Sequence, residues 1–165
     1  MNISEVLKTA MRGELEGREL YKTMAEKTDD SRAKEIFSKM SDEENSHLTI
    51  LQQILKHIAK GEDYTIPQIP KKVTFEAGES PIFSKDFKKR IKDKHFEMSA
   101  LSMALKLEYD SFTFYSQCEK DTDDKALKSF FKYLSAWEKE HYDNINKQMK
   151  FLEDDYFVAN QFTPF

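Results

Sequence analysis

One cysteine in 165 residues, Cys118, excludes an internal disulfide and any four-cysteine metal site, including a rubredoxin-type iron centre. Glycine and proline are scarce, four of each, so few positions force turns or break helices, and abundant Lys, Glu, Leu and Met favour helix. No charge of one sign dominates: 26 Lys and Arg face 30 Asp and Glu, a net charge of −4. Without a broad cationic face, neither nucleic acid nor an anionic membrane surface is expected as a partner. No apolar run approaches the ~20 residues needed to cross a bilayer. Met1 to Ala10 lack the charged start and apolar centre of an export signal, so a cytoplasmic location is expected. The length suits a single domain, 1–165, with a real core.

What the chain does have is a repeat. Residues 1–60 align with 95–154 without a gap and share thirteen identities, among them Leu7/Leu101, Ala10/Ala104, Glu14/Glu108, Tyr21/Tyr115, Phe37/Phe131, Glu44/Glu138 and His47/His141. A fixed offset of 94 is what a duplicated unit leaves behind. In the first copy Leu7, Ala10, Glu14, Gly17 and Tyr21 recur at steps of three and four, followed by Phe37, Met40, Glu44, His47, Leu51, Ile54 and Ile58. That spacing marks the inward seams of packed helices. Thr-Asp-Asp triplets at 28–30 and 122–124 supply side-chain acceptors for helix starts and place the two tight turns. The pattern predicts helices over 3–28, 31–59, 97–121 and 124–152, an all-α antiparallel four-helix bundle of two hairpins, 3–59 and 97–152.

Between the hairpins, residues 60–94 hold Pro67, Pro70, Pro81, Gly61 and Gly78 with weak periodicity. A helix of about 28 residues is ~42 Å long and an extended chain covers ~3.3 Å per residue, so this connection can run the length of the bundle. The third helix is then expected parallel to the first. The tail, 153–165, is aromatic (Tyr156, Phe157, Phe162, Phe165) and non-periodic, and the sequence does not decide whether it packs over the bundle or over a partner.

Glu14, Glu44, Glu108 and Glu138 all fall on the core-facing seam, where an unpaired carboxylate costs several kcal/mol. Each lies fifteen residues from the centre of its turn, so the two in each hairpin are level, and docking the hairpins gathers four like charges in one layer. Cations are the natural compensation. Glu44 with His47 and Glu138 with His141 form two Glu-x-x-His motifs, each placing a carboxylate and an imidazole on one helical face. Four carboxylates neutralise two divalent ions, and the set matches the two Glu plus two Glu-x-x-His of two-metal bundles. Oxygen with imidazole suits iron or manganese, and the lack of thiolate argues against structural zinc.

A single Glu-x-x-His is common on surface helices. Two at the repeat offset, each preceded by a seam Glu thirty residues earlier, are specific. His57 and His95 lack such company and read as surface residues. Tyr21 and Tyr115, two turns after Glu14 and Glu108, lean toward the carboxylate layer and are candidate hydrogen-bond donors, plain core tyrosine being the alternative. Cys118 and Trp137 read as packing residues, with an electron relay the alternative for Trp137. Glu16 and Asp110 fall off the seam and read as solvated.

At these residues the chain resembles the rubrerythrin-like branch of the ferritin-like superfamily. The resemblance spans both hairpins and rests on Glu14 with Tyr21 in Glu-Leu-Glu-Gly-Arg-Glu-Leu-Tyr, Glu108 with Tyr115 in Glu-Tyr-Asp-Ser-Phe-Thr-Phe-Tyr, and the two Glu-x-x-His motifs. It implies that Glu44 and Glu138 bridge two iron ions, that Glu14 with His47 caps one, and that Glu108 with His141 caps the other. It further implies an oxidoreductase acting on peroxide or dioxygen, with Tyr21 and Tyr115 assisting. Bacterioferritins share the ligand pattern, so iron storage, or non-catalytic binding and sensing, stays open beside redox catalysis. Two departures from the family stand out. No cysteine-ligated iron domain is present, so electrons are expected from a separate donor such as a rubredoxin-like protein. Where the family carries a further Glu one turn after the third-helix ligand, this chain has Ser111. The expected assembly is a homodimer.

Overall fold

The computed structural model describes residues 2–67 and 71–162. Pro70 of the connection and Phe165 of the tail lie outside them. The described chain is helical with no strand: α1 Ile3–Lys27, α2 Ser31–Lys60, α3 His95–Asp121 and α4 Lys125–Ala159, with a kinked 3-10 segment at Lys88–Asp93. Each start has a local cause. Asn2 caps α1 through Glu5 N–H, Asp30 caps α2 through Ala33 N–H, and Asp124 caps α4 through Ala126 and Leu127 N–H. Thr28 and Thr122 accept the amides of Asp30 and Asp124 at 3.3 Å each, so the two predicted Thr-Asp-Asp turns form alike. Gly61 ends α2 at φ 67°, a left-handed position that glycine takes without strain.

α1 packs along α2 and α3 along α4, and the two hairpins meet most closely through α1 and α3. The direction of α3 differs from expectation. Tyr21 of α1 reaches Glu108 of α3 while Tyr115 of α3 reaches Glu14 of α1, so α1 ascends as α3 descends. α3 is antiparallel to α1 because the connection carries the chain back to the end where α1 stopped. There Arg90 and Lys94 both meet Asp29 at 2.7 Å.

The connection is tied down along its course. Tyr64 donates to Asp124 at 2.7 Å near one end, and Ser84 donates to Asp30 near the other. The capping aspartates of the two turns therefore also anchor the crossover. Further along, Gln148 of α4 accepts the amides of Ile82 and Phe83 at 3.0 Å each. Ile82, Phe83, Phe87 and Ile91 are buried, so this stretch is a wall of the core. The tail also departs from expectation: α4 continues to Ala159, carrying Tyr156 and Phe157 as helical residues. Tyr156 hydrogen-bonds with His95 Nδ1 at 2.7 Å, which pins this extension to the start of α3.

Two apolar clusters result. One gathers Tyr21, Met24, Phe37, Met40, Phe83, Phe87 and Leu101. The other gathers Leu7, Leu51, Ile54, Tyr115, Leu127, Phe131 and Leu134. Burying each large side chain contributes ~1.5–3 kcal/mol, which offsets the cost of the charged layer held between the clusters. No described helix is long and apolar enough to cross a membrane.

Candidate metal centre

All six predicted ligands converge between the two clusters. Glu14, Glu44, His47, Glu108, Glu138 and His141 are no more than 3% exposed. They form two overlapping sets, Glu14, Glu44, His47 and Glu138, and Glu44, Glu108, Glu138 and His141, with the ligand atoms of each set within 4.8 Å of one another. His47 Nδ1 lies 3.1 Å from Glu14, 3.3 Å from Glu138 Oε1 and 3.8 Å from Glu44 Oε2. His141 Nδ1 lies 3.3 Å from Glu108, 3.4 Å from Glu44 Oε1 and 3.6 Å from Glu138 Oε2. Glu44 and Glu138 thus turn one oxygen to each histidine, while Glu14 and Glu108 each serve one side.

The electrostatics of this arrangement call for cations. Glu44 Oε1, Glu108 Oε2, Glu138 Oε1 and His141 Nδ1 are buried without a hydrogen-bond partner, and all belong to the inward cluster. Burial, only partly opposed by His47, pushes Glu14 up to about 8. Burial and the neighbouring Glu44, Glu14 and Glu108 push Glu138 well above the usual carboxylate range. For Glu44 burial acts upward too, but hydrogen bonds from His141 and His47 outweigh it and hold the carboxyl below its ordinary value. Burial disfavours charge on both imidazoles, yet Glu14 beside His47 and Glu108 beside His141 raise them well above the usual histidine value. The metal-free cluster holds protons where divalent ions would fit, and the donor set of carboxylate oxygen and imidazole suits iron or manganese.

The tyrosines come to the layer crosswise. Tyr21 of the first hairpin donates to Glu108 of the second, and Tyr115 of the second donates to Glu14 of the first. Burial, reinforced by the adjacent carboxylates, pushes both phenols well above 10, so they remain hydrogen-bond donors near neutral pH. Outside the cluster, exposed His57 pairs with Glu62 at 3.1 Å, and exposed Glu16 and Asp110 stand off the seam. Cys118 is buried, and burial pushes its thiol up to about 11, which suppresses the reactive thiolate. Gly17 faces Glu44 across the hairpin: a Cβ there would lie 3.4 Å from the Glu44 carboxyl carbon.

Glu43 was not legible as a site residue. It is 4% exposed, accepts from the Val73 backbone amide, and lies 2.8 Å from His141 Nε2 and 3.2 Å from Trp137 Nε1. Its neighbour Glu44 occupies the seam, which puts Glu43 a third of a turn away, where an acidic residue reads as solvated. The crossover covers it there. The one available signal was the repeat itself, which pairs Glu43 with Trp137.

Comparison with known proteins agrees with this geometry. The chain is similar to a hypothetical protein from Pyrococcus furiosus, with a TM-score of 0.66 and 22% identity over 93% of this chain and 92% of that one, a likeness of fold. No curated protein matches the chain. The Rubrerythrin family model matches residues 5–100 and 99–162, so a bundle with two Glu-x-x-His motifs facing a buried carboxylate layer belongs to the rubrerythrin family.

Proposed function

We propose that the chain is a di-iron oxidoreductase that reduces peroxide or dioxygen with electrons from a separate donor. The observation that carries this reading is the paired orientation of Glu44 and Glu138, one oxygen toward each histidine, which suits two ions held side by side. When bound, two ferrous ions supply two electrons, enough with two protons to convert hydrogen peroxide to two waters. Glu14 with His47 and Glu108 with His141 would hold one position each. Tyr115 donates to the Glu14 oxygen turned away from His47, Tyr21 donates to the Glu108 oxygen that also faces His141, and each phenol keeps its carboxylate from rotating. The apolar clusters on either side exclude bulk water from the layer.

Clefts on two sides of the layer offer small oxidants an approach. On the crossover side a cleft of about 330 Å³ is lined by Glu43, Ser46 and Val73, with Phe75 edge-on 6.1 Å from His141. On the α1 and α3 side, a cleft of about 560 Å³ runs between Glu16 and Asp110 with Ser111 and Tyr115 in its lining. A substrate the size of peroxide entering there meets the Tyr115 to Glu14 hydrogen bond. In this reading the reductant is a small iron protein or a diffusible donor.

Anaerobic loading with ferrous iron, followed by one equivalent of peroxide or dioxygen and near-ultraviolet detection of ferric iron, tests the reading. Oxidation of two irons per peroxide, repeated after re-reduction, supports it. Iron uptake far above two per chain would favour storage, and metal-loaded protein inert to both oxidants would favour a structural role.

A further inference from the structure

We infer that Glu43 is a positioning residue that makes the two metal positions unequal, strengthening the one built on His141 over the one built on His47. The inference rests on the two-metal reading above and concerns what lies behind each imidazole. Both histidines turn Nδ1 inward, so in the neutral ligand form Nε2 carries the proton and needs an acceptor on its outer side. His141 has one, because its Nε2 lies 2.8 Å from Glu43 Oε2. Among the described residues His47 has none: its Nε2 is buried without a partner.

The repeat explains the difference. Two-fold correspondence between the hairpins pairs Glu43 with position 137, where an acceptor for His47 would have to stand. Trp137 is there instead, its ring perpendicular to that of His47 with centroids 4.7 Å apart. An indole offers a donor and no lone-pair acceptor. Its N–H points away from His47 and toward the other half, 3.2 Å from Glu43 Oε2. Glu43 is thereby held from two further directions, by Trp137 and by the Val73 amide of the crossover, and it fixes the ring of His141 in turn. One histidine is oriented and made more basic by a clamped carboxylate, and the other stands against an aromatic ring. Loss of such an outer partner typically lowers metal affinity ~10–100-fold, which sets the expected separation of the two positions.

The test is a manganese(II) titration of the full metal-free chain, reading free ion by electron paramagnetic resonance, with circular dichroism to verify folding. Two binding steps separated by roughly 10–100-fold are expected for the natural protein. His47→Ala should keep the tight step and lose the weak one, and His141→Ala should do the reverse. Glu43→Leu should weaken the tight step by about 10–100-fold and merge the two. Because leucine also strands the Val73 amide, Glu43→Gln provides the independent variant: it keeps an acceptor oxygen and should weaken the tight step less than leucine does. Equal steps in the natural protein, a tight step that survives in His141→Ala, or affinities unchanged in both Glu43 variants would overturn the inequality while leaving a two-metal site intact. Failure to bind manganese or iron at all would instead overturn the two-metal reading, and this inference with it.

Discussion

The two hairpins present the same ligands at the same offset and surround them differently. Glu14, Tyr21, Glu44 and His47 match Glu108, Tyr115, Glu138 and His141 one for one, and both tyrosines cross to the opposite hairpin. The differences lie just behind the ligands: Glu43 against Trp137, and Gly17 against Ser111. The crossover adds another, since it sets Val73 against Glu43 and Phe75 edge-on to His141, while the α1 and α3 cleft runs beside Tyr115. A duplicated frame can therefore be symmetric in what binds metal and asymmetric in what tunes and exposes it.

Breaking the symmetric part should have the largest effect. Removing both imidazoles, His47→Ala with His141→Ala, should abolish tight metal binding and leave a helical protein, because alanine is the best helix former and both positions are mid-helix. Equilibrium dialysis with circular dichroism checks both halves of that statement. A double variant that unfolds completely would show the metal to be structural.

Acid should weaken what the metals contribute. In the metal-free chain Glu14 sits at about 8, and Glu138, His47 and His141 are all raised. A group with a raised folded-state pKa adds stability fully below its unfolded value, and that stability is lost as pH rises through the folded value. These four groups therefore destabilise the metal-free protein as pH climbs from about 5 toward 8 and beyond. Depressed Glu44 acts oppositely, but its stability is lost only below its ordinary 4.5. Protons also displace metal at low pH. The melting-temperature gap between metal-loaded and chelated protein should accordingly widen from pH 5 to pH 8 by several degrees, and a constant gap would mean the glutamates do not share one layer.

Tyr21→Phe and Tyr115→Phe sharpen the comparison. Each deletes a buried donor to a carboxylate, and each should cost about 1–3 kcal/mol in urea unfolding of the metal-loaded protein. Near-equal losses would support the crosswise pairing. A loss confined to one of them would show that only one phenol reaches the layer.

The smallest expected effect is at Ser111. Its side chain lines the open cleft, and the glycine facing it leaves room: a Cβ built on Gly13 would stand 3.9 Å from Ser111 Oγ. Serine is too short to follow a change in metal charge, so the natural protein should reduce peroxide slowly. Ser111→Glu should raise single-turnover oxidation of the ferrous protein by peroxide a few-fold, and stopped-flow kinetics that show a fast natural enzyme unaffected by the change would contradict this.

Much of this was legible because charge on a seam is costly and periodicity is local. The four glutamates, both histidines, the turns and the tyrosines all follow from spacing within one hairpin. What spacing could not supply was contact across the hairpins. Glu43 reads as solvated until Val73 and Trp137, thirty and ninety-four residues away, are placed against it. The direction of α3 depends on where the crossover is anchored, at Asp124 and Asp30, and not on its length. The extension of α4 escaped notice because aromatic residues at 156–157 break the amphipathic pattern while packing against the start of α3.

The central claim is a pair of ions sharing Glu44 and Glu138, and manganese(II) tests it most directly. The metal-free protein loaded with two equivalents should retain both through desalting and give the broadened, exchange-coupled electron paramagnetic resonance signal of neighbouring ions. One retained equivalent, or two giving only the six-line spectrum of isolated manganese, would contradict it.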